Sequence, residues 1–270
     1  MNISETLRTI GVALLLGLVA FAIFGPLINL GMWAFTEQWF YPNRYPSEWG
    51  FSFWERVFRP RAGAWDSLYN SLAIAVATVG LAMLLAVPAG YALARLTLPL
   101  RSVIMLIFLL PQAFPSLPIF VNIAAMFYTM GLNGTMFGVV LVHTLPGLVY
   151  AVWIATASFS SVDRSLEEAA RNVGAGPFRT FADVTFPQAV PGLMAASIFV
   201  FLDSIDEFTG TFFVGAPDVT TLPILMFNAS MGGNYQIASI TALILLIPSV
   251  GFMLVIERFL KADVLSRIGR

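Results

Sequence analysis

Residues 160 to 190 read SSVDRSLEEAARNVGAGPFRTFADVTFPQAV, a polar stretch set between two long apolar runs. Ser165 can cap a helix in which Glu168 sits three residues on, the capping-box spacing, and Leu166, Ala169, Ala170 and Val173 offer that helix an apolar face. Gly174 stops it. Gly176-Pro177 permits a turn into a second short helical stretch through Phe178, Phe181 and Val184, which Pro187 and Pro191 end. A compact helix–turn–helix of this kind needs a surface against which to bury its apolar face.

The sequence on either side of this stretch sets the solvent. Of 270 residues, 58% are hydrophobic and only 11% charged, with a mean hydropathy of +0.83, whereas soluble domains carry about 25% charge. The solvent is a bilayer. Crossing roughly 30 Å of hydrocarbon takes about 20 helical residues, and six stretches are long enough: Thr9–Trp33, Tyr69–Ala94, Ser102–Tyr128, Met136–Ser158, Gly192–Val214 and Ile237–Ile256. The first is too long for a signal-peptide core and lacks a small-residue cleavage site, so it reads as a retained helix. Pro111, Pro115 and Pro118 fall inside the third, which is expected to be a bent packing helix, with a moving gate element as the other reading.

Orientation follows from the basic residues. With the N-terminus inside, Arg8, Arg95, Arg101, Arg164, Arg171, Arg179, Arg258, Lys261, Arg267 and Arg270 face the cytoplasm, and only Arg44, Arg56, Arg59 and Arg61 face out. Both termini are therefore expected to be cytoplasmic, as is the 160–190 loop. The outer connection 34–68 holds Trp39, Trp49, Trp54 and Trp65, rings that favour a lipid–water boundary, and Phe51, Trp54, Val57 and Phe58 are spaced for a short interfacial helix. A formal charge of -1 gives no polyanion-binding signature, so nucleic acid is not an expected partner. No cysteine and a single histidine exclude thiolate sites and a His-rich metal cluster. No G-x-x-x-x-G-K-[ST] run supplies a P-loop, so any energy from ATP must come through another chain.

The run Glu168-Ala169-Ala170, three residues, Gly174, nine residues, Val184, one residue, Phe186-Pro187 resembles the EAA loop of bacterial ABC importer permeases. Val and Phe stand where that family's pattern has Ile and Leu, both apolar departures. Tyr69-Asn70-Ser71-Leu72, His143 through Pro146 and Asp206-Glu207-Phe208 extend the likeness over nearly the whole chain, toward the second permease of spermidine/putrescine importers and their opine, phosphonate and ferric-iron relatives. The resemblance implies an all-α membrane protein of type I ABC importer permease fold, with six transmembrane helices in one permease domain over 1–270. It implies that the loop is a coupling helix docking on a cytoplasmic ATPase through Glu168, Ala169, Ala170, Gly174, Gly176 and Pro187. It further implies a second permease subunit, identical or homologous, two ATPase subunits that hold ATP and Mg, and a solute-binding protein. This chain itself is expected to bind no cofactor and to catalyse nothing.

Asp203, Asp206 and Glu207 fall at i, i+3 and i+4 of the fifth stretch, on one helix face. Asp203 lies twelve residues past Pro191, roughly 18 Å along a helix. Carboxylates at that depth cost at least about 2.5–3.5 kcal/mol each and must face water, a partner or a cation. A translocation path for a cationic solute such as a polyamine and an outer-gate network with the partner subunit are the two readings. His143 has no carboxylate or second histidine at ligand spacing, so a hydrogen-bonded packing role is expected rather than a proton relay. The competing functional class is a proton-coupled secondary carrier or membrane enzyme built on the acidic cluster, although neither inverted repeats nor a paired nucleophile is visible.

Overall fold

A computed structural model describes residues 3–268, so Arg270 of the orientation argument lies outside the described residues. The chain forms two compact units. One comprises the chain up to Trp65 together with Leu225–Ile244, and the other Asp66–Ile224 together with the chain from Leu245 on.

In the first unit, helix α1 (Ile3–Ala34) carries an apolar stretch, Arg8–Ala34, whose side chains are exposed along almost its whole length. An all-apolar helix left open in this way is made for lipid. The connection after it is better ordered than the sequence suggests. Strands β1 (Thr36–Gln38) and β2 (Glu48–Trp49) pair antiparallel, and helix α2 (Ser52–Val57) follows. Trp54 donates its indole N–H to the Ala34 carbonyl at 2.8 Å and stacks on Phe35, so α2 is pinned to the end of α1. Glu37 accepts from both the hydroxyl and the backbone N–H of Ser52, and the hydroxyl bond is the larger reason that its carboxyl is held below the usual range.

The second unit is organised by helix α6 (Met136–Ser160), the most buried of the long apolar helices. Without water to drive association, helices in lipid meet where small residues let backbones approach. Helix α3 (Ala64–Arg95) meets α6 at Gly90, where a Cβ would lie 2.7 Å from that of Ala155 and 2.9 Å from its backbone carbon. Helix α9 (Phe186–Asp206) packs most extensively on α6, with Gly147 facing Val200 and Gly192 facing Ser158. Tyr69-Asn70-Ser71 has a local purpose: Asn70 donates to the Thr220 carbonyl at 3.0 Å, and Ser71 accepts from the Leu222 N–H at 2.9 Å.

Two expected spans differ in detail. Over Ser102–Tyr128 the chain forms not one bent helix but two, α4 (Arg101–Ala113) and α5 (Ser116–Thr129), 92° apart. Pro115 excludes the helical region for Phe114, which sits at ψ 148°, and the helix must end there. The fifth span begins earlier and stops sooner than Gly192–Val214. Helix α7 (Arg164–Asn172) is followed by a continuous helical run from Pro177 to Asp206, comprising α8 (Pro177–Thr180), a π-helical turn at Phe181–Thr185, and α9. Pro187 therefore does not end the loop helix. It lies in the first turn of α9, and the wider π turn ahead of it takes up the mismatch in hydrogen bonding. Beyond Glu207, which is extended, a second π turn (Thr211–Gly215) leads to α10 (Leu222–Met231) and α11 (Tyr235–Ile268). Among the described residues, five helices are long and apolar enough to span a membrane, or six when α4 and α5 count as one broken span.

Candidate functional site

Two polar constellations stand out from the apolar packing, one at each end of α9. The first is the loop between α6 and α9. Its helix α7 is capped by Asp163, not by Ser165: the Asp163 carboxylate accepts from the Ser165 N–H at 2.9 Å, and that bond holds its carboxyl below the ordinary range. At the other end, Gly174 takes φ 92° while the Ala175 N–H reaches the Ala170 carbonyl at 3.0 Å, so a residue with a Cβ would be strained there. The turn is thus legible in the glycine, and the cap is displaced by two residues from the serine.

Of the residues the resemblance singles out, Glu168, Ala169, Gly174, Gly176 and Pro187 are exposed and Ala170 is half-buried. They share this surface with Val173 and Phe178, 86% and 82% exposed. The buried carboxylate is the neighbouring Glu167. Its Oε1 accepts from Arg95 Nε at 2.9 Å and from Thr185 Oγ1 at 2.8 Å, and Arg95 also donates Nη2 to the Val162 carbonyl at 2.8 Å. One carboxylate therefore joins the end of α3, the start of α7 and the last residue of the π turn. Sequence reasoning missed it, because adjacent glutamates look alike until the helix turns one of them inward.

The second constellation is at the C-terminal end of α9. Asp203 and Glu207 line a cavity of about 220 Å³ with Tyr150 and Pro146 of α6, Pro111 and Gln112 of α4 and the broken segment around Phe114. A second, more open pocket shares Tyr150, Asp203 and Glu207 and adds Asp206, Phe199 and Phe208. Tyr150 and Phe199 stack at 6.4 Å. The three carboxylates do cluster, but not on one continuous helix face: α9 ends at Asp206, and Glu207 turns its Oε2 back to the Gly210 N–H at 2.8 Å and the Thr211 N–H at 3.3 Å. Asp203 Oδ2 is buried with no hydrogen-bond partner among the described residues.

His143 packs behind this pocket in full burial. Its Nδ1 shares a hydrogen bond of 2.8 Å with Ser204 Oγ, and its Nε2 one of 2.7 Å with Thr211 Oγ1. Chain separation hid one neighbour, since the fold brings Glu207 Oε2 to 3.7 Å from Nε2. The imidazole thus ties α6 to both sides of the break at Glu207. Tyr150, Phe199 and His143 are members of this site that spacing alone does not connect.

Long apolar helices packed through glycine on α6, a broken helix pair and carboxylates beside a cavity define a multi-pass membrane protein. Residues 82–263 match the family of binding-protein-dependent transport system inner membrane components, and the chain belongs to that family. A putative 2-aminoethylphosphonate transport system permease of Salmonella typhimurium is 27% identical over 240 residues, 88% of this chain and 89% of its own. A putrescine transport system permease of Escherichia coli is 34% identical over 115 residues, 42% of this chain and 41% of its own. Among solved structures, a bacterial ABC transporter involved in import of the acidic polysaccharide alginate superposes with a TM-score of 0.72 at 21% identity, covering 96% of this chain and 98% of that one, which establishes the fold. The chain is accordingly an ABC importer permease subunit of the inner membrane, a transport component and not an enzyme. The secondary-carrier and membrane-enzyme readings fall with that membership.

Proposed function

We propose that this permease subunit carries a solute bearing an organic ammonium group, such as a polyamine, past the carboxylates at the end of α9. The observation that supports this most is the cavity itself: Asp203 and Glu207 face an aromatic wall formed by Tyr150 and its stacking partner Phe199. Carboxylates within a membrane helix are costly unless a cation or water meets them, and aromatic faces attract the same cations. Putrescine and 2-aminoethylphosphonate, the solutes named for two relatives, both carry a primary amine. The alternative cargoes for the same machinery are a phosphonate, an opine or ferric iron.

The exposed face of α7, α8 and the first turn of α9, with Glu168, Ala169, Ala170, Gly174, Gly176 and Pro187, is the dock for a separate ATPase subunit on the cytoplasmic side. Val173 and Phe178 supply its apolar contact. Both termini are then cytoplasmic, the 34–68 connection lies along the outer face, and the working assembly adds a second permease, two ATPase subunits that hold ATP and Mg, and a solute-binding protein. The test is ATP-driven uptake by the whole complex in proteoliposomes, offered putrescine, 2-aminoethylphosphonate and a neutral sugar. Uptake confined to the amines is expected; uptake of the sugar alone would contradict the ammonium reading.

A further inference from the structure

Arg95 and Glu167 are a nearly fully buried ion pair, with side chains 7% and 6% exposed. A charge taken out of water is stable only when paired and hydrogen-bonded, and here each member of the network comes from a different segment. The guanidinium belongs to the last residue of α3, the carboxylate to the first turn of α7, and the hydroxyl of Thr185, itself fully buried, to the end of the π turn. Below them the Phe181 ring is held by Tyr91 at 4.9 Å and Phe186 at 5.7 Å, so the π turn has little room to flex. From Thr185 the helix runs on to Asp203 and Asp206, about 27 Å and about 32 Å away at 1.5 Å per residue. The far side of α7 has no such tie. Glu168 is exposed, and Gly174 and Gly176 form an open turn.

We propose that Arg95, Glu167 and Thr185 are a clamp that makes the start of α7, the end of α3 and the root of α9 move as one body. A displacement imposed on the loop is thereby delivered to the helix that carries the acidic pocket. Glu167, rather than Glu168, is the positioning residue for coupling, and Glu168 is left for the partner. This rests on the reading of the loop as the ATPase dock.

Replacing both members by methionine removes the pair without stranding either charge, and buried pairs exchanged for apolar side chains commonly keep or gain stability. Met–Met contact is soft and adaptable. R95M/E167M is therefore expected to accumulate in the membrane and to co-purify with the ATPase subunits, while solute moved per ATP hydrolysed falls about tenfold, as for side chains that carry coupling between sites. T185V, a milder change that also serves if the double variant does not accumulate, is expected to lower the same ratio about twofold. F178D separates the two readings, because it attacks the dock and spares the clamp. Loss of ATPase association in F178D, with wild-type solute per ATP in both clamp variants, overturns the clamp alone. Retained association in F178D overturns the dock on which the clamp rests.

Discussion

The two ends of α9 handle carboxylates in opposite ways. At the loop end, Glu167 meets Arg95 and a hydroxyl, and its charge is cancelled inside the chain. At the pocket end, Asp203, Asp206 and Glu207 have no Lys or Arg within ion-pair distance among the described residues, and the nearest nitrogen heterocycle, His143, already has two hydroxyl partners. Cancelled charge makes a joint; uncancelled charge beside a cavity makes a place for a cation. The difference implies that carboxylate mutations at the two ends should fail differently, in stability and coupling at one and in solute handling at the other.

The sharpest break comes from removing one member of the pair. Glu167→Ala strands Arg95 in a site closed to water, and a loss of about 3–5 kcal/mol of stability is expected, read as a collapse in membrane accumulation and thermal stability that R95M/E167M does not share. Next is His143→Leu, which leaves the Ser204 hydroxyl without its ring partner and Thr211 with only the long bond to the Glu207 carbonyl, at about 1–3 kcal/mol. Thermal unfolding of the purified complex measures it, and Glu207 should lose its fixed position at the same time. At the pocket, Asp206→Asn changes an exposed side chain, so stability should move by less than about 0.5 kcal/mol. Uptake of an ammonium solute should nevertheless fall about tenfold, the consequence of losing about 1.4 kcal/mol of favourable charge interaction. Glu207→Gln should act in the same direction and more weakly, because the amide oxygen still accepts from Gly210 and Thr211.

The smallest effect belongs to the cap. Asp163 has a lowered carboxyl pKa in the fold, so its contribution is present above the ordinary carboxylate range and is lost as pH falls through the folded value. Asp163→Ala should speed hydrogen exchange of the first turn of α7 without moving exchange in α6. Equal change in both helices would show that the cap is not local.

Much of the fold is legible in the sequence. Hydropathy places the long helices because in lipid an apolar run of span length has few other options, and the glycine at 174 marks the loop turn through backbone sterics. The break between α4 and α5 is written in Pro115, yet proline spacing does not distinguish a bend from a 92° turn, which neighbouring helices decide. The end of α9 was misplaced because Asp206 and Glu207 are adjacent in a helical pattern, while three backbone and side-chain bonds around Gly210 and Thr211 make the chain leave the helix between them. The clamp was invisible for another reason: Arg95, Glu167 and Thr185 are far apart in the chain, and only packing brings them to one carboxylate oxygen.

Simultaneous measurement of solute uptake and ATP hydrolysis in proteoliposomes, for Asp206→Asn and R95M/E167M side by side, tests the division of labour most directly. The account predicts that the pocket variant loses uptake and its associated hydrolysis together, keeping solute per ATP near the wild-type ratio, while the clamp variant hydrolyses ATP and moves about tenfold less solute for each one. Equal ratios in both variants, or a ratio that collapses at the pocket and holds at the clamp, would contradict it.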